Sequence, residues 1–177
     1  MITRRAAVQR ISLLLGGAIS AELTAGLLGE VSNSAPSAPV SPEQQQLLAE
    51  VADTIIPTTD TPGAKAAGAE KFIVRVMRDC YRPDAQEKFY AGLAALEADC
   101  RSTHGKGFAE LPPADRKQAL EHSAKTNKAF FKTLRELTVA GYFTSEIGAT
   151  QALAYLPIPG RFEGDLPITP GQKTWAL

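Results

Sequence analysis

Two histidines, two cysteines and a scatter of acids are the residues of this chain best suited to chemistry. His104 and His122 stand eighteen apart, with no carboxylate or thiol at metal-ligand spacing, and read as solvated surface. Cys80 and Cys100 are suited to one disulfide in an oxidising compartment. If they lie on two antiparallel helices joined near Arg82-Pro83-Asp84, however, Cys100 falls about sixteen residues, or about 24 Å, past the turn. A disulfide tolerates only about 7 Å between Cα atoms. Two unpaired thiols buried as small apolar residues are therefore expected. There is no Cys-x-x-Cys-His for haem, no paired Cys-x-x-Cys set for zinc or iron–sulfur, and no Gly-x-Gly-x-x-Gly after a strand. His104-Gly105-Lys106-Gly107 is too short for a phosphate loop, and the acids Glu70, Asp79, Glu97 and Asp99 are expected solvated on helix faces. The reading assigns no catalytic, cofactor-binding or metal-binding residue to the chain.

The elements that carry these residues read as helices. Of 177 residues, 44% are hydrophobic and 21% charged, with 19 Lys+Arg against 19 Asp+Glu. A neutral chain without a basic cluster is a poor ligand for nucleic acid. Ser41-Pro42-Glu43-Gln44 is a helix start with a cap, a first-turn proline and a capping-box glutamine. Leu47, Leu48, Val51, Ala52, Ile55 and Ile56 follow at helical spacing, and Pro57 ends the run. A second helix is predicted over about 67–81, with Phe72, Ile73, Val76, Met77 and Cys80 on one stripe, and a third over about 83–102, with Phe89, Leu93, Leu96 and Cys100. A fourth, more polar helix starts at Pro112-Pro113, and a fifth carries Phe130, Phe131, Leu134, Leu137 and Tyr142. No run alternates with period two. The expected class is all-α: a single small bundle of about five helices over 41–154, with an extended Pro/Gly-rich tail over 155–177.

The N-terminus reads as an address. Arg4-Arg5 precede an apolar run of about eleven residues, Ile11 to Ala21, too short to span a bilayer comfortably at about 20 residues. The adjacent arginines after Thr3 are similar to a twin-arginine export signal, although Ala7 stands where a large apolar residue is usual. An ordinary secretory signal, an uncleaved membrane anchor and an amphipathic first helix are the other readings. Residues 1–34 are thus a signal segment and 35–40 a proline-containing linker.

The stretch from Thr138 to Gln151 is unlike filler. Gly141 and Gly148 interrupt a helical pattern, each at about 1 kcal/mol relative to alanine. Tyr142 and Phe143 fall on different faces, and Thr144 or Ser145 is placed to cap a short helix from Glu146. Two readings stand: a tight helix junction where glycine admits close packing, or a docking surface for another chain.

Three separated motifs, Asp53 to Ala64, Gly141 to Thr150 and Pro157 to Gly164, resemble those of the gluconate 2-dehydrogenase subunit 3 family, over roughly residues 41–176. One departure is Asp165, where a cysteine often follows the glycine in that family. The resemblance implies a non-catalytic small subunit of an exported flavin-dependent sugar, sugar-acid or glucoside dehydrogenase. It implies a large partner subunit, similar to glucose–methanol–choline oxidoreductases, that holds the FAD, and a cytochrome c subunit carrying haem in some complexes. Its implied place is periplasmic, at the inner membrane, with Arg4 and Arg5 serving the whole assembly. Partner contacts are then expected at Tyr142, Phe143, Glu146, Tyr155, Arg161, Phe162 and Trp175, since aromatics and arginine dominate interfaces. The competing reading is a free-standing periplasmic binding or structural protein.

Overall fold

A computed structural model describes residues 40–156, 158, 160, 167 and 169–175. Of the two units into which the chain divides, Met1–Pro36 and Ser37–Leu177, these belong to the second. Arg4 and Arg5 of the signal segment, and Arg161 and Phe162 of the tail, lie outside the described residues.

Among the described residues five α-helices make the fold: α1 Pro42–Ile55, α2 Ala69–Cys80, α3 Pro83–His104, α4 Pro113–Thr126 and α5 Lys128–Phe143. Among the described residues there is no strand, only one isolated parallel bridge between Ala154 and Trp175. The expected all-α bundle is what forms. Among the described residues, no helix is long and apolar enough to cross a membrane.

Local chemistry sets the helix ends. Ser41 Oγ accepts the Gln44 N–H at 3.2 Å and Gln44 Oε1 accepts the Ser41 N–H at 3.0 Å, a closed capping box with Pro42 in the first turn. α3 runs two residues past its expected end, so that His104 closes the helix instead of lying in a turn. Gly105 then adopts a left-handed φ of 69° and donates its N–H to Arg101 O at 2.9 Å. Asn127 ends α4 and caps α5, accepting the Phe130 N–H on its side-chain oxygen at 3.3 Å.

The core gathers one stripe from each helix: Leu48 and Val51 of α1, Ile73 and Met77 of α2, Phe89, Leu93 and Leu96 of α3, Leu120 of α4, and Phe130 and Leu134 of α5. Two glycines set how closely helices approach. A Cβ on Gly92 of α3 would lie 2.5 Å from Phe130 Cγ, and one on Gly141 of α5 would lie 2.9 Å from Phe72 Cδ1 of α2. The start of α2 thus meets the end of α5, and the two helices run antiparallel.

A short 3-10 turn, Phe108–Glu110, brings in a residue the helical pattern did not predict. Phe108 is fully buried. Glu97, expected in solvent, accepts the Phe108 N–H at 2.9 Å and so fixes the turn against α3. Arg116 of α4 stacks 5.9 Å over the Phe108 ring and donates to Leu111 O at 2.8 Å and to Glu50 Oε2 of α1 at 2.9 Å.

Three other expectations are corrected. Glu70 is buried at the start of α2, and its Oε2 has no hydrogen-bond partner among the described residues. Cys80 is exposed, because the α2 stripe facing the core ends at Met77. α2 also begins at Ala69, after Gly68 turns the chain with a φ of 69°. Cys80 and Cys100 are both free, and Cys100 is buried as expected.

Candidate functional site

One end of the bundle is built from the loop after α1 and from the stretch Thr138–Gln151. After α1 the chain turns tightly through Thr58–Gly63. Gly63 donates its N–H to Thr58 Oγ1 at 2.9 Å, and Ala64 donates to Ile56 O at 2.9 Å. A Cβ on Gly63 would lie 2.7 Å from both Asp53 Oδ1 and Thr58 N, so only glycine fits. The Tyr142 hydroxyl, from the last turn of α5, donates to Pro62 O at 2.9 Å. Its single proton is then spent, so the Thr61 hydroxyl, 3.3 Å away, donates to it in turn.

Beyond α5 the chain folds back on itself. Ser145 Oγ donates to Tyr142 O at 2.6 Å and accepts the Gly148 N–H at 3.0 Å, the capping expected of this position. Gly148 packs so closely that a Cβ there would lie 1.9 Å from Tyr142 O. A π-turn, Gly148–Ala152, follows and closes with Leu153 N–H to Gly148 O at 2.9 Å. The close helix junction is therefore real at both Gly141 and Gly148. The tail then returns to the same end. Ala154 donates to Thr174 O at 2.8 Å, and the Lys173 ammonium donates to Gln151 O. The Thr59 hydroxyl, and to a lesser degree the Lys173 charge, hold the Asp60 carboxyl below its ordinary range.

The residues expected to face a partner divide. Phe143 is 38% exposed, Tyr155 55% and Trp175 51%, and Glu146 is exposed as well. Tyr142 is 2% exposed, packed with Ala52, Ala64 and Ala69, and its ring supports Phe143 edge-on at 5.1 Å. That corrects its expected role: it holds the surface up and does not present it. Val139, Leu156 and Ile158, which were not among the expected residues, are exposed too. Val139 stands one turn before Phe143 on α5, a spacing that signals a shared face.

The chemistry-bearing residues elsewhere come together without forming a centre. Asp99, Cys100, His104 and His122 line one cavity of about 330 Å³ between α3 and α4. Among the described residues, no group of three or more His, Cys, Asp or Glu is placed to hold a metal. Burial, aided by Glu97 and Asp99, pushes the Cys100 thiol up, which suppresses the thiolate that nucleophilic chemistry needs.

Fold and site together define a small all-helical protein that presents apolar side chains beside a tight turn where only glycine fits. The chain belongs to the family described as gluconate 2-dehydrogenase subunit 3, whose model matches residues 42–160, about two thirds of its length. Comparison with curated proteins and with solved structures gives no match.

Proposed function

We propose that this chain is the non-catalytic small subunit of an exported flavin-dependent dehydrogenase acting on a sugar, sugar acid or glucoside. It stabilises a large FAD-bearing subunit similar to glucose–methanol–choline oxidoreductases and travels with it by the twin-arginine route to the periplasmic face of the inner membrane. A cytochrome c subunit with haem accepts the electrons. The observation that carries this reading is the set of exposed apolar side chains, Val139, Phe143, Tyr155, Leu156 and Trp175, on and beside the segments that close one end of the bundle. Apolar surface gathered in this way marks a place for another chain. Family membership supports the role of a subunit among subunits. Arg4 and Arg5 support the export route, since flavin is inserted before transport and one signal then suffices for a folded complex.

Deleting residues 1–34 in the native host and locating the large subunit tests the escort. Retention of an active large subunit in the cytoplasm is expected. Its normal export would sink the idea. Co-purification of the two chains, lost on replacing Phe143 and Trp175 together, tests the docking end.

A further inference from the structure

The opposite end of the bundle holds a groove of about 510 Å³ between α2, α3 and α5. Pockets for small ligands run from about 300 to 1,000 Å³. Its floor is apolar and aromatic: Met77, with Phe89 and Phe130 at 5.4 Å between ring centroids, tilted by 53°. Gly92 makes that floor possible, because any side chain there would displace the Phe130 ring.

The rim is polar and carries donors with capacity to spare among the described residues. Asn127 spends its side-chain oxygen on the Phe130 N–H, which leaves its amide N–H₂ free to donate. The Lys88 ammonium, well exposed, pairs loosely with Asp84 at 3.9 Å and makes no hydrogen bond among the described residues. Among the described residues the Tyr81 hydroxyl has no partner. An aromatic floor below a cation and an amide donor suits a flat apolar ring that ends in an anionic acceptor.

We propose that this groove binds an aromatic monocarboxylate, with the ring against Phe89 and Phe130 and the carboxylate toward Lys88 and Asn127. The inference is independent of the subunit role, since it concerns the other end of the bundle.

Titration of the full chain with 2-naphthoate, followed by calorimetry and by backbone amide shifts, tests it. Its neutral counterpart, 2-naphthylmethanol, serves as the comparison. Saturable one-site binding is expected, with the carboxylate at least about tenfold tighter than the alcohol, as a charge-assisted hydrogen bond supplies. Shifts should centre on Phe89, Gly92 and Phe130. Lys88→Glu should erase the preference for the anion. Ala129→Phe, at an exposed position on the groove wall, should abolish binding of both probes while leaving the melting temperature in place. Non-saturable binding, shifts centred on Phe143 and Trp175, or affinity unchanged by both substitutions overturns the proposal. No response to either probe also overturns it and leaves the groove to a macromolecule.

Discussion

The hydroxyl of Tyr142 donates to the carbonyl of Pro62 at 2.9 Å, across eighty residues of sequence. It ties the last turn of α5 to the loop that leaves α1. Tyr142→Phe removes the donor and leaves a half-buried carbonyl without its partner. A loss of about 1–2 kcal/mol is expected in urea unfolding, with the m-value unchanged. A loss below about 0.3 kcal/mol would mean that water replaces the contact without cost.

Gly148 and Gly105 separate steric from conformational need. Gly148→Ala drives a methyl into the Tyr142 carbonyl and is expected to cost about 3 kcal/mol or more, or to remake this end of the bundle. Gly105 has open space around it and is constrained only by its φ of 69°, so Gly105→Ala is expected to cost about 1 kcal/mol. Thermal melts of the two variants side by side check the order.

The two thiols should report on packing. Cys80 is exposed and should react with a disulfide reagent at the rate of a free thiol. Cys100 is buried, and its thiol is held in the protonated form, so it should react only as fast as the chain opens. Two equally fast thiols in the native state, or a mass two daltons low from a disulfide, would contradict the structure.

Glu50 gives stability a pH dependence of known sign. Lys65 donates to it at 2.6 Å and Arg116 at 2.9 Å, and these contacts hold its carboxyl below the ordinary 4.5. A depressed carboxylate contributes stability above its unfolded value and loses it as pH falls through the folded one. Glu50→Gln should therefore cost about 1–2 kcal/mol at pH 7, with the gap to wild type shrinking below about pH 4.5. Urea unfolding at pH 7 and pH 3 measures it. A gap of the same size at both values would mean that packing, not charge, sets the cost.

At the proposed docking end, Phe143→Ser and Trp175→Ser should lower the melting temperature only modestly, since both side chains are partly exposed. Self-association of the isolated chain and its capture of the proposed large subunit should fall together. Sedimentation and co-purification check the two readouts. A large drop in stability would show instead that these residues brace the fold.

How much of this was legible in the sequence follows from the range of each interaction. The capping box at Ser41 was legible because its partners stand three residues apart. The stripe Phe89, Leu93, Leu96 and Cys100 was legible for the same reason. Tyr142 and Phe143 were legible as residues on different faces, but which of them points inward depends on where α2 lies, and no local pattern holds that. Phe108 escaped because a three-residue turn has no period to detect. Glu70 was misplaced because burial of an acid is decided by neighbours outside its helix, and Glu97 because its partner, the Phe108 N–H, lies in a turn beyond its own helix. Gly141 and Gly148 announced close packing without naming Phe72 or the Tyr142 carbonyl as what they approach.

The pairing of Ala154 with Trp175 brings together two points about twenty residues apart in the chain. Pinning the ends of a loop of about twenty residues costs about 2–3 kcal/mol of chain entropy, and here folding bears that cost before any partner arrives. Tyr155 and Trp175, distant in sequence, reach an encounter already as neighbours. For the partner proposed above there is less disorder to quench, so the tether would work as pre-organisation and should show itself in the dissociation rate.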